Sequence, residues 1–161
     1  PNARGAEALG IAESGEAILK RAVKKELRVL FVFLQDLTET VGKARATEAL
    51  ANVELSVFVG SNRNRTVELA DVVLPSAVYA EKDGTFTNVD GRVQRIRAAL
   101  SPWGDSKPEW EVLKEVGSRL GVRMPLTDAE AIFAELAKRE KPFEGLTYER
   151  IGDHGALLRD R

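Results

Sequence analysis

The side chains able to do chemistry fall in two places. The first is a pair of polar loops, each directly after an apolar run. Asp36 follows residues 27–34 (LRVLFVFL), and Asn62, Arg63, Arg65 and Thr66 follow residues 54–59 (ELSVFV). Asn62, Arg63 and Arg65 at the start of a helical turn could bind an anion, because a helix N-terminus offers unpaired N–H groups and positive dipole charge. The bland account of the same residues is N-capping beside solvated arginines. The second place is residues 81–92 (EKDGTFTNVDGR), where Lys82, Asn88 and Arg92 could reach a cofactor or a neighbouring domain. Turn chemistry accounts for most of that stretch: its glycines and Asp90 define a bend, and Asn88 and Arg92 bond backbone.

Other chemistries are poorly provided for. Cysteine is absent, which excludes disulfides, cysteine-ligated iron–sulfur clusters and Cys-based zinc sites within these 161 residues. One histidine, His154, cannot make a His-based metal site alone and reads as an exposed loop residue. Carboxylate pairs such as Asp71/Glu81 or Glu13/Glu16 could be imagined as acid–base partners, but nothing selects them from 25 acidic residues. No Ser/His/Asp order and no Walker motif is present. Basic and acidic residues, 24 against 25, nearly cancel, so there is no electrostatic case for nucleic acid or an anionic membrane. No apolar run reaches the ~18–20 residues that span a bilayer. The chain begins with Pro rather than Met and carries no targeting signal, so a piece of a longer polypeptide is expected.

The elements that must position these residues alternate in type. Residues 1–14 read as an irregular lead-in. Ser14 is a candidate N-cap for a helix from Gly15 with Ile18, Leu19, Ala22 and Val23 on one stripe. Residues 27–34 and 54–59 are continuous apolar runs of the kind found in parallel strands buried on both faces. Between them a helix is expected from about Glu39 to Ala51, capped by Thr38. A short helix over residues 63–69 leads to a third buried strand at residues 71–74, closed by Pro75. This alternation predicts βαβ units, a parallel sheet, and any ligand at the carboxyl ends of the strands. Residues 85–88 and 92–96 then form a hairpin around Asp90–Gly91, a dipeptide suited to a type I′ turn. Pro108 at N1, a stripe of Trp110, Leu113, Val116 and Leu120, and a Gly121 stop define the next helix. Thr127 and Glu130 form a capping box for a helix to about Arg139. The tail 143–161 packs onto a surface and ends in a charged segment expected to fray.

The string LADVVLP…AEKDGTFTNVDGRVQ, followed by Pro102, Trp110 and Leu120–Gly121, resembles the molybdopterin oxidoreductase superfamily. There ADVVLP, E-(K)-x-G-T-F-x-N-x-E-G-R-x-Q, P-G-x-(A)-x-x-D-W-x-(I/V)-L and a closing L-G recur in this order. Asp90 replaces the usual Glu, and Glu109 the usual Asp before Trp110. The nearest resemblance is to the C-terminal region of the large iron–sulfur subunit of bacterial NADH–quinone oxidoreductase, complex I.

That resemblance implies an α/β fold. It would be a three-layer αβα domain with a small, mainly parallel sheet, a β-hairpin and C-terminal helices. One domain would cover residues 1–161, with the βαβ core and hairpin in 1–100. It further implies a cofactor-free scaffold in an electron-transfer complex, with no site residues of its own, iron–sulfur clusters upstream, and contacts to other domains and complex I subunits. The location implied is peripheral, on the cytoplasmic face of the cell membrane, without nucleic acid or membrane insertion. The alternative implied is a molybdopterin guanine dinucleotide-binding part of a formate dehydrogenase-like molybdoenzyme, with Asp36, Asn62, Arg63, Thr66, Lys82, Asn88 and Arg92 as the binding residues. Two loops depart from the molybdenum-containing pattern. After the first strand those enzymes show G-x-[DN]-P, where this chain has Leu34–Gln35–Asp36–Leu37. After the second they show D-x-[FY]-x-T-E-T-A, of which Thr66 is the one remnant.

Overall fold

The computed structural model of the chain describes residues 2–11 and 13–159. Its contacts group into two compact units, each with its own sheet. One comprises residues 13–78 and 102–109; the other comprises the described residues of 1–12, 79–101 and 110–161.

The parallel unit is built on strands β1 (Val29–Phe33), β2 (Leu55–Gly60) and β3 (Val72–Pro75), hydrogen-bonded in the order β1-β2-β3. Val29 lies opposite Leu55, and Val57 opposite Val72, in two parallel pairings. Helices α1 (Ala3–Ala8), in the other unit, and α2 (Gly15–Val23) precede β1; α3 (Leu37–Val41) and α4 (Lys43–Ala51) connect β1 to β2. Leu19 and Ala22 of α2, Ala46, Ala49 and Leu50 of α4, Leu30 and Val32 of β1 and Phe58 of β2 make one core. The Ser14 hydroxyl caps α2 by accepting from the Ala17 N–H at 3.2 Å.

Several local expectations give way. The lead-in is not irregular, since residues 3–8 coil into α1, while residues 1 and 12 lie outside the described residues. The helix expected as one piece from Glu39 is broken at Gly42, whose φ of 86° no helix accommodates, and its cap is Asp36 rather than Thr38. Residues 65–69 form turns, not a helix. The third strand is also not buried: Val72 and Val73 remain 38% and 45% exposed, because β3 is a sheet edge with one strand beside it. The apolar run there reflects β propensity rather than two-sided burial.

The antiparallel unit contains β4 (Gly84–Thr87), β5 (Arg92–Ile96) and β6 (Ala156–Leu157), in the order β4-β5-β6. The hairpin is present in the expected register, Thr87 opposite Val93, but its turn differs. Asn88 and Arg92 close a three-residue loop through the Asn88 N–H to the Arg92 carbonyl (2.9 Å), and the Gly91 N–H returns to the Asn88 carbonyl (3.1 Å). Gly91 alone has positive φ (78°), whereas type I′ needs it at two central residues. Asn88 explains the choice: its Oδ1 accepts from the N–H groups of Asp90 (3.0 Å) and Arg92 (2.8 Å) and knits the loop from inside.

Helices α5 (Glu109–Arg119), α6 (Ala129–Arg139) and α7 (Tyr148–Ile151) complete the chain. Gly121 ends α5 as expected, with φ of 82° and the Val122 N–H bonded to the Gly117 carbonyl at 2.8 Å, a Schellman arrangement. The expected apolar stripe of α5 is displaced, because Val112 and Gly117 are buried while Leu113 and Leu120 are exposed. On α6 the cap is Asp128, accepting from the Ala131 N–H at 2.8 Å, one residue later than the expected Thr127. The tail packs as expected over its described length, and residues 160–161 of the charged end expected to fray lie outside the described residues. Ala156–Leu157 pairs with β5, and the Leu158 N–H reaches the Gly91 carbonyl at 2.9 Å. Val93, Phe133, Ala137, Phe143, Leu146, Tyr148 and Ile151 form this unit's core, with the Arg95 guanidinium 4.2 Å from the centre of the Tyr148 ring.

Gly91→Val should destabilise the chain by about 1–2 kcal/mol. The positive φ causes this, not crowding, since a Cβ there would meet its nearest neighbours at 4.0 Å. Denaturant unfolding that places the variant level with the parent would refute the turn assignment.

Candidate functional site

The carboxyl ends of β1 and β2 carry the site, and Asp36 is its centre. As N-cap of α3, Asp36 accepts the Thr38 N–H (2.9 Å) and the Thr38 hydroxyl (2.8 Å) on Oδ1. The same oxygen accepts the Thr66 hydroxyl at 3.0 Å, and Oδ2 takes the Arg65 N–H at 3.3 Å. Thr66 is fully buried, and its hydroxyl oxygen also accepts the Leu37 N–H at 2.8 Å. Asn64 fixes Thr66 in turn, its Oδ1 accepting the N–H groups of Thr66 (3.0 Å) and Val67 (3.2 Å). Desolvation pushes the Asp36 carboxyl up. The hydrogen bonds from the Thr38 and Thr66 hydroxyls and from the Thr38 and Arg65 N–H groups outweigh it and hold the group below the usual aspartate range.

A cleft of about 340 Å³ opens at this edge, lined by Leu34, Asp36, Glu39, Phe58, Ser61 and Asn62 among others. Leu34 stands at its mouth with φ of 58°, a left-handed conformation that costs an L side chain roughly 1–2 kcal/mol. The position where relatives were expected to carry Gly therefore retains a glycine-like backbone under a leucine side chain. Gly60, at the end of β2, is required by packing, for a Cβ there would collide with the Phe58 ring.

The sequence-derived candidates thus divide. Asp36 and Asn62 line one cleft, Thr66 is buried behind it and bonded directly to Asp36, and Arg63 is exposed on the same loop as Asn62. Lys82, Asn88 and Arg92 belong to the other compact unit. There Lys82 is half-buried and engaged within the protein, Asn88 is committed to its turn, and the Arg92 guanidinium donates to the Gly155 carbonyl at 3.2 Å. Sequence reasoning missed Thr38 and Asn64 as ligands of the network. The Asp-x-Thr spacing of an N-cap and the Asn-x-Thr spacing of an Asx turn were the available signals. Asp71, imagined as a catalytic carboxylate, instead links β2 and β3. Its Oδ2 accepts the Ser56 hydroxyl (2.6 Å) and N–H (2.8 Å), and those two bonds hold its carboxyl low. Among the described residues, no group of three His, Cys, Asp or Glu side chains could hold a metal, and no helix is long and apolar enough to cross a membrane. His154 is exposed.

A fold with parallel strands ending in paired polar loops, followed by the KDGTFTNVDGR hairpin, is that of a molybdopterin oxidoreductase domain. The family model of that description matches residues 2–119, and the chain belongs to the molybdopterin oxidoreductase family. Among its relatives is the F420-dependent formate dehydrogenase 2 subunit alpha of Methanococcus maripaludis, 40% identical over 110 residues, which are 67% of this chain and 16% of that protein. The probable oxidoreductase YjgC of Bacillus subtilis is 42% identical over 94 residues, 58% of this chain and 10% of that protein. The putative formate dehydrogenase SH0748 of Staphylococcus haemolyticus is 39% identical over 109 residues, 68% of this chain and 11% of that protein. The chain therefore spans between 10% and 16% of the length of these relatives. Acetylene hydratase from Pelobacter acetylenicus shares the fold, with a TM-score of 0.66 at 19% identity, over 89% of this chain and 20% of that one. The three sequence relatives carry the names of formate dehydrogenases, one of them putative, and of a probable oxidoreductase, not of iron–sulfur subunits of NADH–quinone oxidoreductase. The narrower resemblance expected from the motif string gives way to the broader family.

Leu34→Gly should raise stability by about 0.5–1 kcal/mol by relieving the left-handed strain, read as a higher denaturation midpoint; a fall would show that the leucine side chain contributes more than its backbone costs. The lowered carboxyls of Asp36 and Asp71 make a pH prediction. Their folded-state values lie below their unfolded ones, so their contribution is complete above the ordinary aspartate pKa and is lost as pH falls through the lowered values. Melting temperature should decline as pH falls below the ordinary aspartate pKa of about 4. Asp71→Asn should flatten that acid limb, and an unaltered slope would refute the assignment.

Proposed function

We propose that this chain is part of the large subunit of a formate dehydrogenase-type molybdoenzyme, and that the cleft at the ends of β1 and β2 holds the guanine end of a molybdopterin guanine dinucleotide. One observation carries the reading: an ionised carboxylate, Asp36, locked beside Asn62 at the carboxyl edge of a parallel sheet. Guanine presents an N1–H and a 2-amino group side by side. The carboxylate oxygen of Asp36 that keeps acceptor capacity, Oδ2, can accept from that edge, and an amide adds a donor and an acceptor. The relatives' names supply the reaction class, oxidation of formate.

The residues fit the base end of the group better than its diphosphate. Leu34 places a side chain where close backbone approach to phosphate calls for Gly, and Glu39 adds negative charge to the cleft lining. Bound there, the cofactor would supply the molybdenum-centred redox chemistry. This chain would bind and orient its nucleotide portion, with other domains of the same subunit as its partners. The side chain of Leu34 is also the observation that favours a second reading, the cofactor-free scaffold of the complex I iron–sulfur subunit; the relatives support the first.

A base-selectivity assay on the purified chain tests the reading. GMP should bind more tightly than AMP. Asp36→Asn, which replaces an acceptor by a donor, should weaken GMP about tenfold and improve XMP, whose C2 carries a carbonyl. Equal, base-independent affinities, or none, would remove the dinucleotide role and leave the scaffold.

A further inference from the structure

We propose that Thr66 is a positioning residue that decides which oxygen of Asp36 is left to meet a ligand. The proposal rests on the nucleotide reading of the cleft. The two bonds of the Thr66 hydroxyl run in opposite senses: it accepts the Leu37 N–H (2.8 Å) from the loop after β1 and donates to Asp36 Oδ1 (3.0 Å). Accepting from Leu37 directs the hydroxyl hydrogen toward Asp36, so the threonine acts as a one-way relay between the two loops. With the Thr38 N–H and hydroxyl, it brings three donors onto Oδ1 and saturates that oxygen. Oδ2 keeps the Arg65 N–H at 3.3 Å as its donor among the described residues, and so retains acceptor capacity.

A rotation of the carboxylate would exchange the two oxygens, and the buried threonine makes that rotation costly. Without it, Leu37 would lose the acceptor for a buried N–H, and Asp36 one of the bonds that keep it ionised. A bulk-conserving residue without a hydroxyl would keep the packing and lose the relay. The expected signature is therefore a change in how Asp36 titrates and binds, beyond a change in folding.

The test compares Thr66→Val with Thr66→Ser in the purified chain. Two readouts are used: the Asp36 carboxyl titration followed by NMR, and GMP affinity by calorimetry. Thr66→Val should raise the Asp36 pKa and weaken GMP about tenfold, the loss of one charge-assisted hydrogen bond. Thr66→Ser, which keeps the hydroxyl, should restore both. If Thr66→Val fails to fold, Thr66→Ala and the serine variant carry the same comparison. An Asp36 titration indifferent to the hydroxyl would overturn the positioning role, whatever happens to GMP. A titration that responds while the parent chain binds no GMP would overturn the nucleotide reading and the ligand half of this proposal with it.

Discussion

A hydrogen-bonded clamp between two loops is the constraint on which the parallel unit depends. β1 and β2 are joined along their length by backbone pairing, which says nothing about the loops beyond their ends. The Asp36–Thr66 bond and the Leu37 N–H to Thr66 bond fix those loops to each other at the point where the sheet stops. The clamp is buried on the threonine side and open on the carboxylate side, so it both stabilises the edge and leaves a charged group at the cleft. Removing a partner would leave a buried donor unsatisfied, the costly way to lose a hydrogen bond. A second carboxylate, Asp71, does for β2 and β3 at the opposite end what Asp36 does for the first two strands.

Much of this was legible in the residues, and the failures have physical causes. The runs at 27–34 and 54–59 declared paired parallel strands because apolar stretches without alternation require two covered faces. Residues 71–74 looked the same, and both they and β1 are edges, since composition cannot report how many neighbours a strand has. β1 buries Leu30 and Val32 but leaves Val29 exposed and Phe31 and Phe33 half-buried. Asp36 and Thr66 were both recognised as candidates, but their contact spans thirty positions of sequence and no local pattern encodes it. Caps were misplaced by one or two positions at Asp36 and Asp128, because an acidic residue and a threonine nearby compete for the same role. The hairpin was read correctly from Asp90–Gly91. Its turn type was not, because Asn88 supplies side-chain bonds that favour a loop with one left-handed residue over a turn with two.

Leu34 stands where the resemblance led to an expectation of glycine, and its backbone takes a conformation that glycine adopts freely. A leucine with φ of 58° is strained by itself, yet the Leu34 N–H still bonds the Val59 carbonyl at 2.9 Å, and the loop leads straight to the Asp36 cap. The surrounding hydrogen bonds over-determine the conformation, which is the condition under which such strain survives. Membership of the molybdopterin oxidoreductase family and a leucine at the position expected to be glycine are thus compatible within one loop.

The outer side of β1 has a practical consequence. Phe31 and Phe33 stack with ring centres 6.1 Å apart beside a groove of about 670 Å³, on a strand with one hydrogen-bonded neighbour. Val29 and Leu34, at the two ends of that strand, are about half exposed. Such a rim is adhesive, a ready template for another chain's strand. A single lysine placed on that rim is the natural means of blunting it.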